Sequence, residues 1–148
     1  MIMLYITIVV LSLYIAWSDI SERRIPNISQ YVILLVGFIS QSLNGTEPAS
    51  VSYLVFPGVI LIVGAALSHY DIVGFGDIKL IFTTLLVTKA DYYSAVMLFI
   101  AFSGGIWAVL WRCLLCKIPC VKKVDRIKHG IPYGIPIVIS LCLFTFIH

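Results

Sequence analysis

The chain has 148 residues, 61% of them hydrophobic and only 11% charged, with a formal net charge of +3 and a mean hydropathy of +1.06. So few charges cannot cover the surface of a soluble domain of this size, which excludes a soluble enzyme, and no nucleic-acid partner is expected. A spanning helix takes ~20 apolar residues, so the length allows about six spans with short loops, and one membrane-embedded domain is expected over residues 1–148.

Met1 to Trp17 is apolar, without a basic n-region or a small-residue cleavage site, and reads as a retained first span rather than a secretory signal. Span 1 is expected from about Met3 to Ser18. At ~1.5 Å per residue it covers ~24 Å and leaves Asp19 near one interface. The loop that follows is polar and basic and contains Arg23-Arg24-Ile25-Pro26-Asn27. Pro26 biases Ile25 toward an extended backbone, and Asn27 is placed to cap span 2, about Ile28 to Leu43. A turn-rich stretch, Asn44-Gly45-Thr46-Glu47-Pro48, leads to span 3, about Val51 to Leu67, where Pro57-Gly58 predicts a kink.

The block Val73-Gly74-Phe75-Gly76-Asp77-Ile78-Lys79-Leu80 then drops a carboxylate between two apolar stretches. An acid at membrane depth is costly unless it is paired or faces water, which makes it a functional candidate. The plain alternative is a tight cytoplasmic turn with Asp77 capping the next helix. Span 4, Ile78 to Thr88, is short. Eleven residues reach only ~16 Å of a ~30 Å hydrocarbon core. Either Asp77 sits some way into the membrane, or the bilayer thins, or the Gly-rich stretch continues the span in irregular form, which is tolerated beside a water-filled cavity. Span 5 is expected from about Tyr92 to Leu115 and span 6 from about Ile131 to Ile147, opening with Pro132-Tyr133-Gly134-Ile135-Pro136.

Six spans place the loops after spans 1, 3 and 5 on one side, with Arg23, Arg24, Arg112, Lys117, Lys122, Lys123, Arg126 and Lys128, while the other side holds Lys89 alone. The basic side is cytoplasmic by the positive-inside rule, so both termini are expected outside. The basic loop after span 5 is sufficiently explained as a topology signal that touches anionic lipid. Asp19 and Asp77 then open toward the same, cytoplasmic, face.

Two carboxyls close together do not easily both ionise, and the pair can share one proton. The ionised member takes a proton from water and the protonated member polarises a peptide carbonyl, which is aspartyl-protease chemistry. A different class also fits paired acids beside broken helices: a non-enzymatic, proton-coupled carrier or assembly subunit. Such a carrier should place its essential acids within reach of both sides, whereas these two share one half of the membrane.

Three blocks resemble the prepilin peptidase family, the type IV leader peptidases marked by a Gly-x-Gly-Asp motif. They are Asp19 followed by Arg23-Arg24-Ile25-Pro26-Asn27, then Gly74-Phe75-Gly76-Asp77-Ile78-Lys79-Leu80, then Ile131-Pro132-Tyr133-Gly134-Ile135-Pro136. Their order along essentially the whole chain carries the resemblance. It implies an all-α, polytopic inner-membrane protein of about six transmembrane helices, one short or irregular after the motif. It implies Asp19 and Asp77 as the catalytic pair, supported by Gly74, Gly76, Lys79, Pro26, Asn27, Pro132, Tyr133 and Gly134. It implies, as substrate, a type IV pilin-like precursor with a basic leader and an apolar helix, cut on the cytoplasmic side. Because one span precedes Asp19, the chain looks like the short form of Flp-type, tight-adherence pilus systems, expected to cleave without N-methylating, with an archaeal-type preflagellin peptidase as the alternative.

Other residues carry less. Asp71 reads as a solvated loop acid. Lys79 either biases the acid beside it or snorkels to the interface, and Arg23 and Arg24 read as inside anchors. Cys113, Cys116 and Cys120 invite a metal reading, but no fourth ligand is evident and cytoplasmic thiols stay reduced, so neither a metal nor another cofactor is expected. His69 and His148 have no partner pattern. Ser103-Gly104-Gly105 reads as a close helix contact rather than a nucleophile.

Overall fold

The computed structural model describes residues 2–43, 51–70, 73–113 and 131–145. They form α1 (Ile2–Glu22), α2 (Asn27–Leu43), α3 (Val51–His69), α4 (Phe75–Val87), α5 (Tyr93–Cys113) and α6 (Gly134–Thr145), with a 3-10 turn, Ala90–Tyr92, leading into α5. No strand occurs among the described residues, as an all-α fold requires. Asp71, Cys116, Cys120, His129, His148 and the basic run from Lys117 to Lys128 lie outside the described residues.

The distribution of side chains is that of a protein dissolved in lipid. Met3, Ile62 and Phe102 are 78%, 71% and 73% exposed, while Ser12, Gln30, Thr84 and Ser140 are buried. Apolar outer faces on this scale are not tolerated in water, and polar groups inside a membrane turn inward. Ile2–Glu22 and Ala90–Cys113 are each long and apolar enough to cross a membrane, and Asn27–Leu43, Tyr53–His69 and Gly134–Thr145 are shorter apolar helices. This is a membrane protein.

Helix α4 is the element around which the others pack: it touches α2, α3 and α6, while α1 packs on α2 and α6, and α5 on α6. The core draws Ile8 and Ile15 from α1, Ile33 and Val36 from α2, Leu80 and Val87 from α4, and Ile137, Val138 and Leu141 from α6. Two glycines let neighbours come close to α4. A Cβ on Gly64 would lie 2.5 Å from Ile78 Cγ2, and one on Gly37 would lie 2.5 Å from Val87 Cγ2.

Val87 is β-branched and stiff, so it cannot turn aside. Gly37→Ala is therefore expected to force α2 away from α4 and to cost about 1–3 kcal/mol. Thermal unfolding in detergent checks this: the melting point should fall, and Gly37→Ala combined with Val87→Ala should recover most of the loss. An unchanged melting point in Gly37→Ala would show that this contact does not hold the helices.

Several helix limits differ from the sequence expectation. Helix α1 does not stop at Ser18 but runs to Glu22, so Asp19 lies within the helix and not beyond its end. Arg23, at φ 54°, ends it, and the Arg23 N–H donates to the Asp19 carbonyl at 3.2 Å, a left-handed C-terminal cap built on a non-glycine residue. Helix α4 is short but regular. Its N-cap is Gly74, with no side-chain cap, so Gly76 and Asp77 belong to its first turn. The expectations of a tight turn at Gly-x-Gly-Asp with Asp77 as the cap, and of an irregular span, give way to this helix. Pro57 lies inside α3, which continues through it.

At ~1.5 Å per residue, the 13 residues of α4 cover only ~20 Å. Its last carbonyls would be orphaned in an apolar setting. Neighbouring helices meet them: Gln41 Nε2 of α2 donates to the Val87 carbonyl at 2.9 Å and lies 3.2 Å from that of Leu86, and the Tyr53 hydroxyl of α3 reaches the carbonyls of Leu86 and Thr88. These bonds fix the far end of α4, and with it the height at which Asp77 stands.

Candidate active site

The end of α1, the loop after it, and the start of α4 enclose a cavity of about 400 Å³. Asp19, Arg23, Arg24, Ile25 and Asn27 line it from one side, and Gly74, Phe75, Gly76, Asp77 and Lys79 from the other. The two acids, 58 residues apart along the chain, thus face one space.

Local chemistry explains how the first wall forms. Ser18 Oγ donates to the Arg24 carbonyl at 2.8 Å and folds the loop back on the helix end. Arg23 then lies over the Trp111 ring of α5, its Cζ 5.1 Å from the centroid. Pro26 precedes Asn27, the first residue of α2. Asn27 Oδ1 accepts from Lys79 Nζ at 3.4 Å, while the ammonium also sits 4.7 Å from the centre of the Phe75 ring, one turn earlier on α4. Lys79 therefore joins the starts of α2 and α4 across the cavity.

Asp19 is 5% exposed. The backbone N–H of Gly134, the first residue of α6, donates to its Oδ2 at 2.8 Å. A carboxylate at a helix N-terminus meets unpaired N–H groups and the positive end of the dipole. Only glycine fits here. A Cβ at residue 134 would lie 2.7 Å from Asp19 Oδ2, 3.0 Å from its Cγ and 3.2 Å from its Cβ. Oδ2 is the oxygen that this bond engages.

Asp77 is half-buried and stands in the first turn of α4, where an acid suits the dipole. Its carboxylate turns back over Gly74, where a Cβ would come within 3.0 Å of Oδ2. A Cβ on Gly76 would meet Ile25 at 3.5 Å, an ordinary contact, so steric exclusion does not explain glycine there.

The third sequence block supports the site from behind. The Pro132 carbonyl accepts from Trp107 Nε1 of α5 at 2.8 Å, and the Tyr133 ring lies 3.5 Å from where a Cβ of Gly104 would be. Gly104 is thus the close contact expected of Ser103-Gly104-Gly105, whereas Gly105 has nothing within 4 Å. Ser18, Ile25, Phe75 and Trp107 were not among the site residues expected from the sequence. Ile25 and Phe75 lay within the two acid-bearing blocks, and Trp107 left a signal of its own, since an indole N–H in an apolar chain needs an acceptor. Arg23 and Arg24, expected as anchors, line the cavity itself. Among the described residues no group of three or more His, Cys, Asp or Glu is placed to hold a metal ion. Cys113, the described member of the cysteine cluster, is exposed.

In comparisons with known proteins, a family model described as the type IV leader peptidase family matches residues 6–109. The match takes in both acids and ends ahead of the Pro132-Tyr133-Gly134 segment. No curated protein and no solved structure matches the chain.

Proposed function

The chain belongs to the type IV leader peptidase family, and from that premise we propose that it is an aspartic endopeptidase with Asp19 and Asp77 as its catalytic pair. The single observation that carries the mechanism is that both carboxyls line one cavity. One carboxylate takes a proton from a water molecule as the water oxygen attacks the peptide carbonyl carbon. The other, protonated, donates to the carbonyl oxygen. The tetrahedral diol then collapses: the C–N bond breaks, a proton passes from the pair to the leaving nitrogen, and the new carboxyl and amine depart. The Gly134 N–H holds one oxygen of Asp19 still through these steps, which is the positioning that acid–base catalysis requires.

The substrate is a type IV pilin-like precursor of the Flp type, with a basic leader ahead of an apolar helix, cut at the cytoplasmic side of the inner membrane. The three blocks and the positive-inside distribution of Lys and Arg support this finer reading. Precursor processing in membranes that carry this chain as the only peptidase tests it. Loss of a leader-sized piece on a gel supports the reading, and an intact precursor beside folded chain overturns it.

Sidedness has its own test. Reporters fused at Glu47 and at Lys123 should report opposite sides of a six-span, multi-pass chain, with Lys123 inside. Equal sidedness would remove the common cytoplasmic face on which the reading depends.

A further inference from the structure

Trp107 touches neither carboxyl, yet a short series of contacts ties it to Asp19. Its Nε1 donates to the Pro132 carbonyl at 2.8 Å. The next residue, Tyr133, lays its ring over Gly104, which sits one turn before Trp107 on α5. The residue after that is Gly134, whose N–H donates to Asp19 Oδ2 at 2.8 Å. Residues 131–133 lie ahead of the helix; the Tyr133 carbonyl is placed to accept the first bond of α6, but the Pro132 carbonyl lies outside that ladder and is held by the indole instead. Each residue has only two soft backbone dihedrals. The Pro132 carbonyl and the Tyr133 ring, held on one side, and the first turn of α6 on the other together set the direction of the Gly134 N–H.

We propose that Trp107 is a positioning residue for Asp19, acting through the Pro132–Gly134 segment. The proposal rests on the reading of Asp19 as one of the catalytic carboxyls. Without the indole N–H, the Pro132 carbonyl turns to another partner and the Gly134 N–H loses its aim. Asp19 then leaves the geometry in which it faces Asp77. Because the loss reaches the site through the position of Asp19, the effect falls on turnover and not on binding.

Replacing Trp107 by β-(3-benzothienyl)alanine keeps the bicyclic shape and changes the N–H to sulfur, so packing and folding are kept. Trp107→Phe is the encoded counterpart. Both are expected to lower kcat about tenfold while KM stays within about twofold, the split that marks a loss confined to the transition state. Trp17→Phe, on the 71%-exposed side chain of α1, should change neither.

A second readout needs no catalysis. Tyr133-Gly134 is the one Tyr-Gly pair in the chain, so carbonyl-13C tyrosine with 15N glycine isolates the Gly134 amide in a spectrum. Its proton should resonate downfield in the unaltered chain and move upfield in the benzothienyl variant, as it should in Asp19→Ala, which removes the acceptor. A benzothienyl variant with unchanged kcat and an unmoved Gly134 proton overturns the proposal. A moved proton in a chain that never cleaves precursor counts against the peptidase reading and leaves the Trp107–Asp19 link standing.

Discussion

Asp19→Asn and Asp77→Asn are each expected to reduce precursor cleavage by about 10²–10⁴-fold, the usual contribution of a positioned acid or base. The amide keeps the size of the carboxyl and removes the titratable proton. If the two acids act as a unit on one proton and one water, the double variant should cost little more than either single change. Folding should survive. In Asp19→Asn the side-chain amide still offers a carbonyl oxygen to the Gly134 N–H, so the bond that joins α1 to α6 remains. Precursor binding should survive as well, because it draws on an apolar helix and a basic leader. A gel shift of the precursor in membranes measures the cleavage, and co-purification of the uncut precursor with the variant measures binding. Asp71→Asn serves as the comparison and should retain most activity. If Asp71→Asn is dead while Asp77→Asn cleaves normally, the motif has been assigned to the wrong acid. If every variant cleaves, the pair is not catalytic, and a proton-coupled carrier or assembly role becomes the reading to pursue.

Parts of this arrangement were legible in the sequence for physical reasons. The scarcity of charge forces a lipid-solvated fold, and stretches of ~20 apolar residues set the number of helices. Asp19 and Asp77 stood out because so few acids interrupt the apolar runs, and the structure brings both to one cavity. Helix limits were less legible. An apolar run shows where lipid ends, not where the backbone stops being helical, so α1 continues through Asp19 to Glu22 until Arg23 takes a left-handed conformation. Glycine suggested a turn at residues 74–76, yet tertiary packing on α2, α3 and α6 extends α4 back through Gly76. The bond from Trp107 to Pro132 spans 25 residues and the one from Gly134 to Asp19 spans 115. Neither has a local periodicity or cap that would announce it.

The second large effect is expected at Gly134, where a single methyl group should disable the site. In Gly134→Ala the new Cβ would fall 2.7 Å from Asp19 Oδ2 and only 3.0 and 3.2 Å from its Cγ and Cβ. A clash with the tip of a flexible chain could be relieved by a small rotation. Here the whole carboxymethyl group is in the way, and Asp19 is 5% exposed on a packed helix. Either the carboxyl swings out of the cavity, or the start of α6 backs away and strains the Trp107–Pro132 bond. Both outcomes lose the geometry, and a displacement of ~1 Å at a reacting group costs about 10²-fold in rate. Overpacking at this point should also lower stability by about 1–3 kcal/mol, seen as a lower melting point in detergent. Helix propensity cannot account for such a loss, since alanine favours a helix over glycine by about 1 kcal/mol. Gly105→Ala makes the comparison sharp: it is the same substitution in a helix, and its Cβ meets nothing within 4 Å. Cleavage should persist in Gly105→Ala and collapse in Gly134→Ala. Equal cleavage by the two would mean that the close seat of Asp19 against Gly134 does not exist in the working enzyme. The positioning of Asp19 through α6 would then have to be abandoned, whatever the acid variants show.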